Sequence, residues 1–98
     1  MTQEWKKVEK LLTPDQLDGK CKLFARVTIQ PGHELASHQH IGETETYYIL
    51  SGKGIYDDDG TKIPASANDC FFCDDGHSHG IVCTSEEPLV FLALIINK

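Results

Sequence analysis

The chain has 98 residues, a formal charge of −6 at pH 7 and a pI near 5.2, with 40% apolar and 24% charged residues. That size predicts one domain, and the composition is ordinary for a globular chain. The acidic balance argues against nucleic acid or an anionic membrane as partner, and no apolar run approaches the ~20 residues that span a bilayer.

The start, MTQEWKKVEKLL, is amphipathic and charged, unlike a secretory leader, so a cytoplasmic protein is expected. Within it, Trp5, Val8, Leu11 and Leu12 recur at helical spacing, which predicts a short helix or an irregular arm over residues 4–12. Thr13-Pro14 ends that pattern, and residues 1–19 read as an arm preceding a domain over 20–98. CKLFARVTIQ alternates and is β-branched, then stops at Pro31-Gly32. TETYYILSG runs into Gly52, and GKGIYDDDGTKI predicts a hairpin around Asp59-Gly60. NDCFFCDDG and HSHGIVC read as two further strands, and PLVFLALIINK as a buried one. Short strands at this spacing predict an all-β sandwich or barrel. The acidic runs at 57–59 and 86–87 read as solvated turns.

The four cysteines are expected to be reduced thiols, given no secretory leader. Cys70 and Cys73 form a CxxC with neither a partner pair nor a following helix. On a strand they point to opposite faces, so both read as structural thiols rather than a redox or zinc pair.

HQHIGETE, residues 38–45, carries the chemistry. If His38 and His40 are extended they share a face, ~7 Å apart along the backbone, and can converge on one ion. Glu45 continues at period two into Tyr47 and Ile49, so it shares a face with the core. Glu43 lacks that relation and reads as a solvated loop residue. HSH at 77–79 offers a third imidazole: His79 leads into apolar GIVC and points inward, whereas His77 sits in the turn after Asp75-Gly76. An HxH alone is a weak signal. Two such segments and a matching glutamate strengthen it.

PGHELASHQHIGETETYYILSG resembles the first motif of the cupin superfamily, with Gly32, His38, His40, Glu45 and Gly52 fitting every step. NDCFFCDDGHSHGIVC resembles the second: Gly76 and His79 match, while Asn68, Asp74 and Cys83 replace a glycine, a proline and an asparagine. Asn tolerates the left-handed backbone that glycine supplies. Cys83, four residues past His79, reads as a core residue, with a thiol near the metal as its alternative.

The resemblance covers roughly residues 20–96 and is to the small, single-domain, conserved-barrel cupins. It implies a double-stranded β-helix, a jelly-roll barrel of two antiparallel sheets, with His38, His40, Glu45 and His79 as ligands of one divalent transition metal. Iron, manganese, nickel, cobalt and zinc all suit such a donor set. Tyr47 is a candidate proton donor or hydrogen-bond anchor, and Arg26 reads as a surface charge. The resemblance also implies a homodimer formed through the N-terminal strands, with Trp5 and the arm covering the neighbouring subunit. Two functions follow. One is a metalloenzyme of isomerase, lyase or oxygenase type acting by Lewis-acid activation on a small polar substrate. The other is a non-catalytic, metal-dependent module binding a sugar or an organic acid. A barrel pinned by a purely structural metal fits a His3Glu set less well. With neither a helix-turn-helix nor a second barrel motif within these 98 residues, a ligand-responsive transcription factor or a two-domain storage or oxalate-degrading type is not expected.

Overall fold

Period-two alternation sets the strands, as seen in the computed structural model, which describes residues 4–98. In β2 (Cys21–Ile29), Ala25, Val27 and Ile29 are buried and Arg26 is exposed. In β4 (Glu43–Ser51) Glu45, Tyr47 and Ile49 alternate into the interior, with Thr44 also buried beside them, and in β9 (Leu89–Asn97) the buried set is Leu89, Phe91, Ala93 and Ile95. The remaining strands are β1 (Lys6–Lys10), β3 (Glu34–Gln39), β5 (Gly54–Asp58), β6 (Thr61–Ala65), β7 (Cys70–Cys73) and β8 (Ser78–Cys83). They form a five-stranded sheet, β1-β2-β9-β4-β7, and a four-stranded sheet, β3-β8-β5-β6. Every strand pair is antiparallel. The hairpin turn is at Asp59-Gly60, with φ of 52° and 98°.

The N-terminal pattern resolves differently from its helical reading. The expected arm's first three residues lie outside the described range, and residues 6–10 form the edge strand β1. It pairs with β2 from Lys6↔Ile29 to Lys10↔Ala25. KKVEK also satisfies period two, and the ladder offered by the open edge of β2 outweighs helical propensity in so short a segment. The short helix comes later, as α1 (Pro14–Leu17), where Thr13 and Gln16 form a reciprocal capping box. Thr13-Pro14 therefore starts a helix rather than only ending one.

The core lies between the sheets. Tyr47, Tyr56, Phe91, Ile29, Ile49, Ile81 and Leu89 are all essentially buried, each stabilising by roughly 1.5–3 kcal/mol. Cross-strand register places these residues in rows. Val27–Phe91–Ile49 form one row of the five-stranded sheet, Ala25–Ala93–Tyr47–Phe71 the next, and Leu23–Ile95–Glu45–Cys73 the last. The outer face carries Phe24, Leu94, Thr46 and Phe72 in one row, with Phe72 57% exposed.

In β3 a bulge separates the pairs Leu35↔Ile81 and His38↔His79. The extra residue lets Leu35 and His38, three apart, both face inward. Gly80 lies against it: a Cβ there would stand 2.7 Å from the Leu35 carbonyl oxygen and 2.9 Å from the Ser37 nitrogen. Gly52, with φ 80°, is similarly constrained, its Cβ position 2.3 Å from the Pro88 carbonyl oxygen. Gly80→Ala should therefore push the bulge outward and lower unfolding free energy by about 2 kcal/mol. Urea denaturation reads this out, and an unchanged midpoint would show that the bulge yields without cost.

Candidate metal centre

The last inward row of the five-stranded sheet meets the bulged end of β3 and the start of β8, and the four candidate ligand side chains converge there. His38, His40, Glu45 and His79 each present a ligating atom, all within 4.8 Å of one another. Glu45 comes from β4, His38 from β3 and His79 from β8, whereas His40 lies just past the end of β3. The Glu45 Oε1 stands 2.8 Å from His40 Nε2, 2.9 Å from His79 Nε2 and 3.7 Å from His38 Nε2. His40 Nε2 and His79 Nε2 are 3.1 Å apart. Ligand bonds of ~2.1 Å at right angles would place neighbouring donor atoms ~3.0 Å apart, the spacing that Glu45, His40 and His79 show, with His38 farther from Glu45 at 3.7 Å.

Each imidazole is turned by its other nitrogen. His38 Nδ1 donates to the Ala36 carbonyl at 2.9 Å. His40 Nδ1 donates to Glu43 Oε2 at 2.5 Å. His79 Nδ1 meets the Tyr56 hydroxyl at 2.9 Å. A carbonyl and a carboxylate can only accept, so His38 and His40 carry a proton on Nδ1, which turns Nε2 toward the centre, where it would be the ligating atom once unprotonated. Glu43 is thus not the solvated loop residue its sequence position suggests. It opens β4, is bonded to Lys22 Nζ at 3.1 Å, and braces His40. Tyr56, from β5, braces His79 and went unread in the sequence because only cross-strand register brings the two together.

Charge in the centre rests on Glu45, which is 5% exposed. Burial pushes its carboxyl upward, but hydrogen bonds to His38 and His79 and the imidazole charges outweigh burial and hold it at about 2. The same Glu45 contact raises His38. Glu43 is lowered, first by its His40 hydrogen bond. The centre is thus a permanent carboxylate ringed by three imidazoles, a donor set suited to a divalent metal ion.

Tyr47 is 2% exposed, stacks on His79 with ring centroids 4.7 Å apart, and tilts against Phe91. Burial, reinforced by the Glu45 charge, pushes its phenol well above the ordinary value, so it stays protonated. A cavity of about 300 Å³ opens onto the cluster, lined by His38, His40, Glu45 and Tyr47 and by aliphatic groups from β1, β2, β3 and β9. A second groove, on the four-stranded sheet, holds the Asp57–Lys62 ion pair and none of the four clustered residues.

The other candidates fall outside the centre. His77 is exposed and paired with Asp59 at 3.1 Å. Arg26 is exposed and held by Glu9 at 3.1 and 3.2 Å. Cys83 is a buried core residue whose Sγ faces the Glu87 carbonyl at 3.4 Å. Cys70 is exposed and Cys73 buried, on opposite faces of β7, and burial pushes the Cys73 thiol up to about 11. Asn68 adopts the left-handed backbone its position requires, with φ 75°.

The profile of the cupin domain matches residues 25–95. The chain belongs to the cupin family. It is 44% identical over 86 residues to an oxalate-binding protein of Thermotoga maritima, covering 88% of this chain and 71% of that one. It also superposes on a Thermotoga maritima crystal structure described as a predicted oxalate decarboxylase. There the TM-score is 0.92 at 41% identity, covering 95% of this chain and 81% of that one. A more distant cupin fold is KdgF from Halomonas, with a TM-score of 0.81 at 19% identity over 100% of this chain and 86% of that one. Among the described residues, no helix is long and apolar enough to cross a membrane.

Because Glu43 fixes both the tautomer and the orientation of His40, Glu43→Gln should weaken metal binding by about 10–100-fold while leaving the fold intact. Titration with Co(II) or Zn(II) against a competing chelator measures this. Equal affinity in the two proteins would reduce Glu43 to a surface partner of Lys22.

Proposed function

We propose that this cupin binds a small organic acid through a divalent metal held by His38, His40, Glu45 and His79. The observation that carries the reading is the open side of the four-residue cluster, which faces the cavity. A six-coordinate ion held by these four donors would keep two positions for ligand oxygens, and a chelating acid with two neighbouring oxygens would supply them. The bound ion supplies Lewis acidity and the positive charge that attracts the anion. The chain supplies the rest. Glu43, Tyr56 and the Ala36 carbonyl hold the imidazoles, the aliphatic walls exclude water, and Tyr47 offers a protonated hydroxyl as hydrogen-bond donor.

Kinship with an oxalate-binding protein supports oxalate or a similar chelating acid as the ligand class. The catalytic reading draws support from the structure described as a predicted oxalate decarboxylase. That reaction converts oxalate and one proton into carbon dioxide and formate, so it needs a proton donor beside the substrate. Among the described residues, the cavity's titratable groups beyond the cluster are Tyr47 and Lys6. A phenol pushed well above its ordinary value is a poor proton donor, which favours binding over turnover.

Calorimetric titration of oxalate into the metal-loaded and the metal-free protein, with formate and carbon dioxide assayed in parallel, tests the proposal. Saturable binding is expected in the loaded protein alone, without product. Equal binding without metal would overturn the proposal, and formate release would establish the decarboxylase reading in its place.

A further inference from the structure

The cavity beside the cluster is much larger than oxalate needs. At about 300 Å³ it exceeds the space of a six-heavy-atom acid, which displaces roughly two or three waters at ~30 Å³ each. Its remaining wall is almost wholly hydrocarbon: Val8, Leu23, Val27, Phe91, Ala93 and Ile95 face it from three neighbouring strands. Water in such a space has few polar partners, and an apolar group entering it gains by burial.

The wall also lacks the groups that hold a second acid. The chain's single arginine, Arg26, points outward and is occupied by Glu9. Lys6 lines the cavity, but its ammonium lies 5.5 Å from the Trp5 ring centroid, over the indole face. Its aliphatic stem is what it offers the cavity. A dicarboxylate long enough to fill the space would therefore bury its far carboxylate among hydrocarbon, which is costly without a partner.

We infer that the ligand is a monocarboxylic 2-oxo or 2-hydroxy acid whose chelating head meets the metal and whose apolar body fills this cavity. The inference rests on the metal-dependent binding proposed above and assigns the ligand's chemical class. β1 takes a direct part, since it brings Lys6 and Val8 to the wall.

The test is a ladder of 2-oxo acids: pyruvate, 2-oxobutanoate, 2-oxopentanoate and 4-methyl-2-oxopentanoate. Each is titrated calorimetrically into metal-loaded protein freed of excess ion, with oxalate and the metal-free protein as references. Affinity should rise about fourfold per added carbon, roughly sixtyfold over the three carbons from pyruvate to the branched acid. Ala93→Leu narrows the cavity and should flatten the ladder. Should that variant not fold, Val27→Ile narrows the same wall by one carbon from the adjacent strand β2. Metal-dependent oxalate binding with no rise along the ladder would overturn this inference and leave the proposed function standing. No metal-dependent binding of any acid would overturn both. A full ladder retained in a folded Ala93→Leu protein would place the body elsewhere and also overturn the inference.

Discussion

Everything at the centre depends on one buried carboxylate. Glu45 sits at 5% exposure in the last inward row of the five-stranded sheet, among Leu23, Ile95 and Cys73. A charge in such surroundings is costly unless it is paired. Two of the three Nε2 atoms around it lie within 2.9 Å, and the third within 3.7 Å. The imidazoles cannot drift, because each is tethered from behind by a carbonyl, a carboxylate or a phenol. The chain itself thus gathers four donor atoms into a cluster that could hold a metal ion.

The barrel is arranged to make that meeting possible. Glu45 belongs to one sheet, and His38 and His79 to the other, so the cluster joins the two layers at their open end. A regular β3 would turn either Leu35 or His38 outward, and the bulge lets both face in. Gly80 makes room for the bulge, since any side chain would strike its backbone. Farther inside, the same walls pass without a break into the aliphatic core.

Most of the strands were legible because each buries one face and alternates accordingly. Ala25, Val27 and Ile29 in β2 and Leu89, Phe91, Ala93 and Ile95 in β9 are clear cases. β1 was not, since Trp5, Val8, Leu11 and Leu12 fit a helical period while KKVEK fits a strand equally well. Only the free edge of β2 decides between them. The four clustered residues were legible from their spacing and from the family resemblance, and the structure brings all four together. Their braces were not. Tyr56 lies 23 residues from His79 and meets it through the pairing of β5 with β8. Glu43 was set aside as a loop residue with no fixed relation to the core, yet it opens β4, and the turn through Gly42, with φ 76°, returns it to His40. Nor does any residue type in ELASHQ announce a bulge.

The most direct measurement is elemental analysis of the untagged protein, purified without chelators and incubated with each divalent ion in turn. It is compared with the His38→Ala/His40→Ala variant and with His77→Ala. The account predicts near-stoichiometric metal in the unmodified protein and in His77→Ala, and none in the double variant. An unmodified protein that takes up no divalent ion, or a double variant that keeps a full complement, would contradict it.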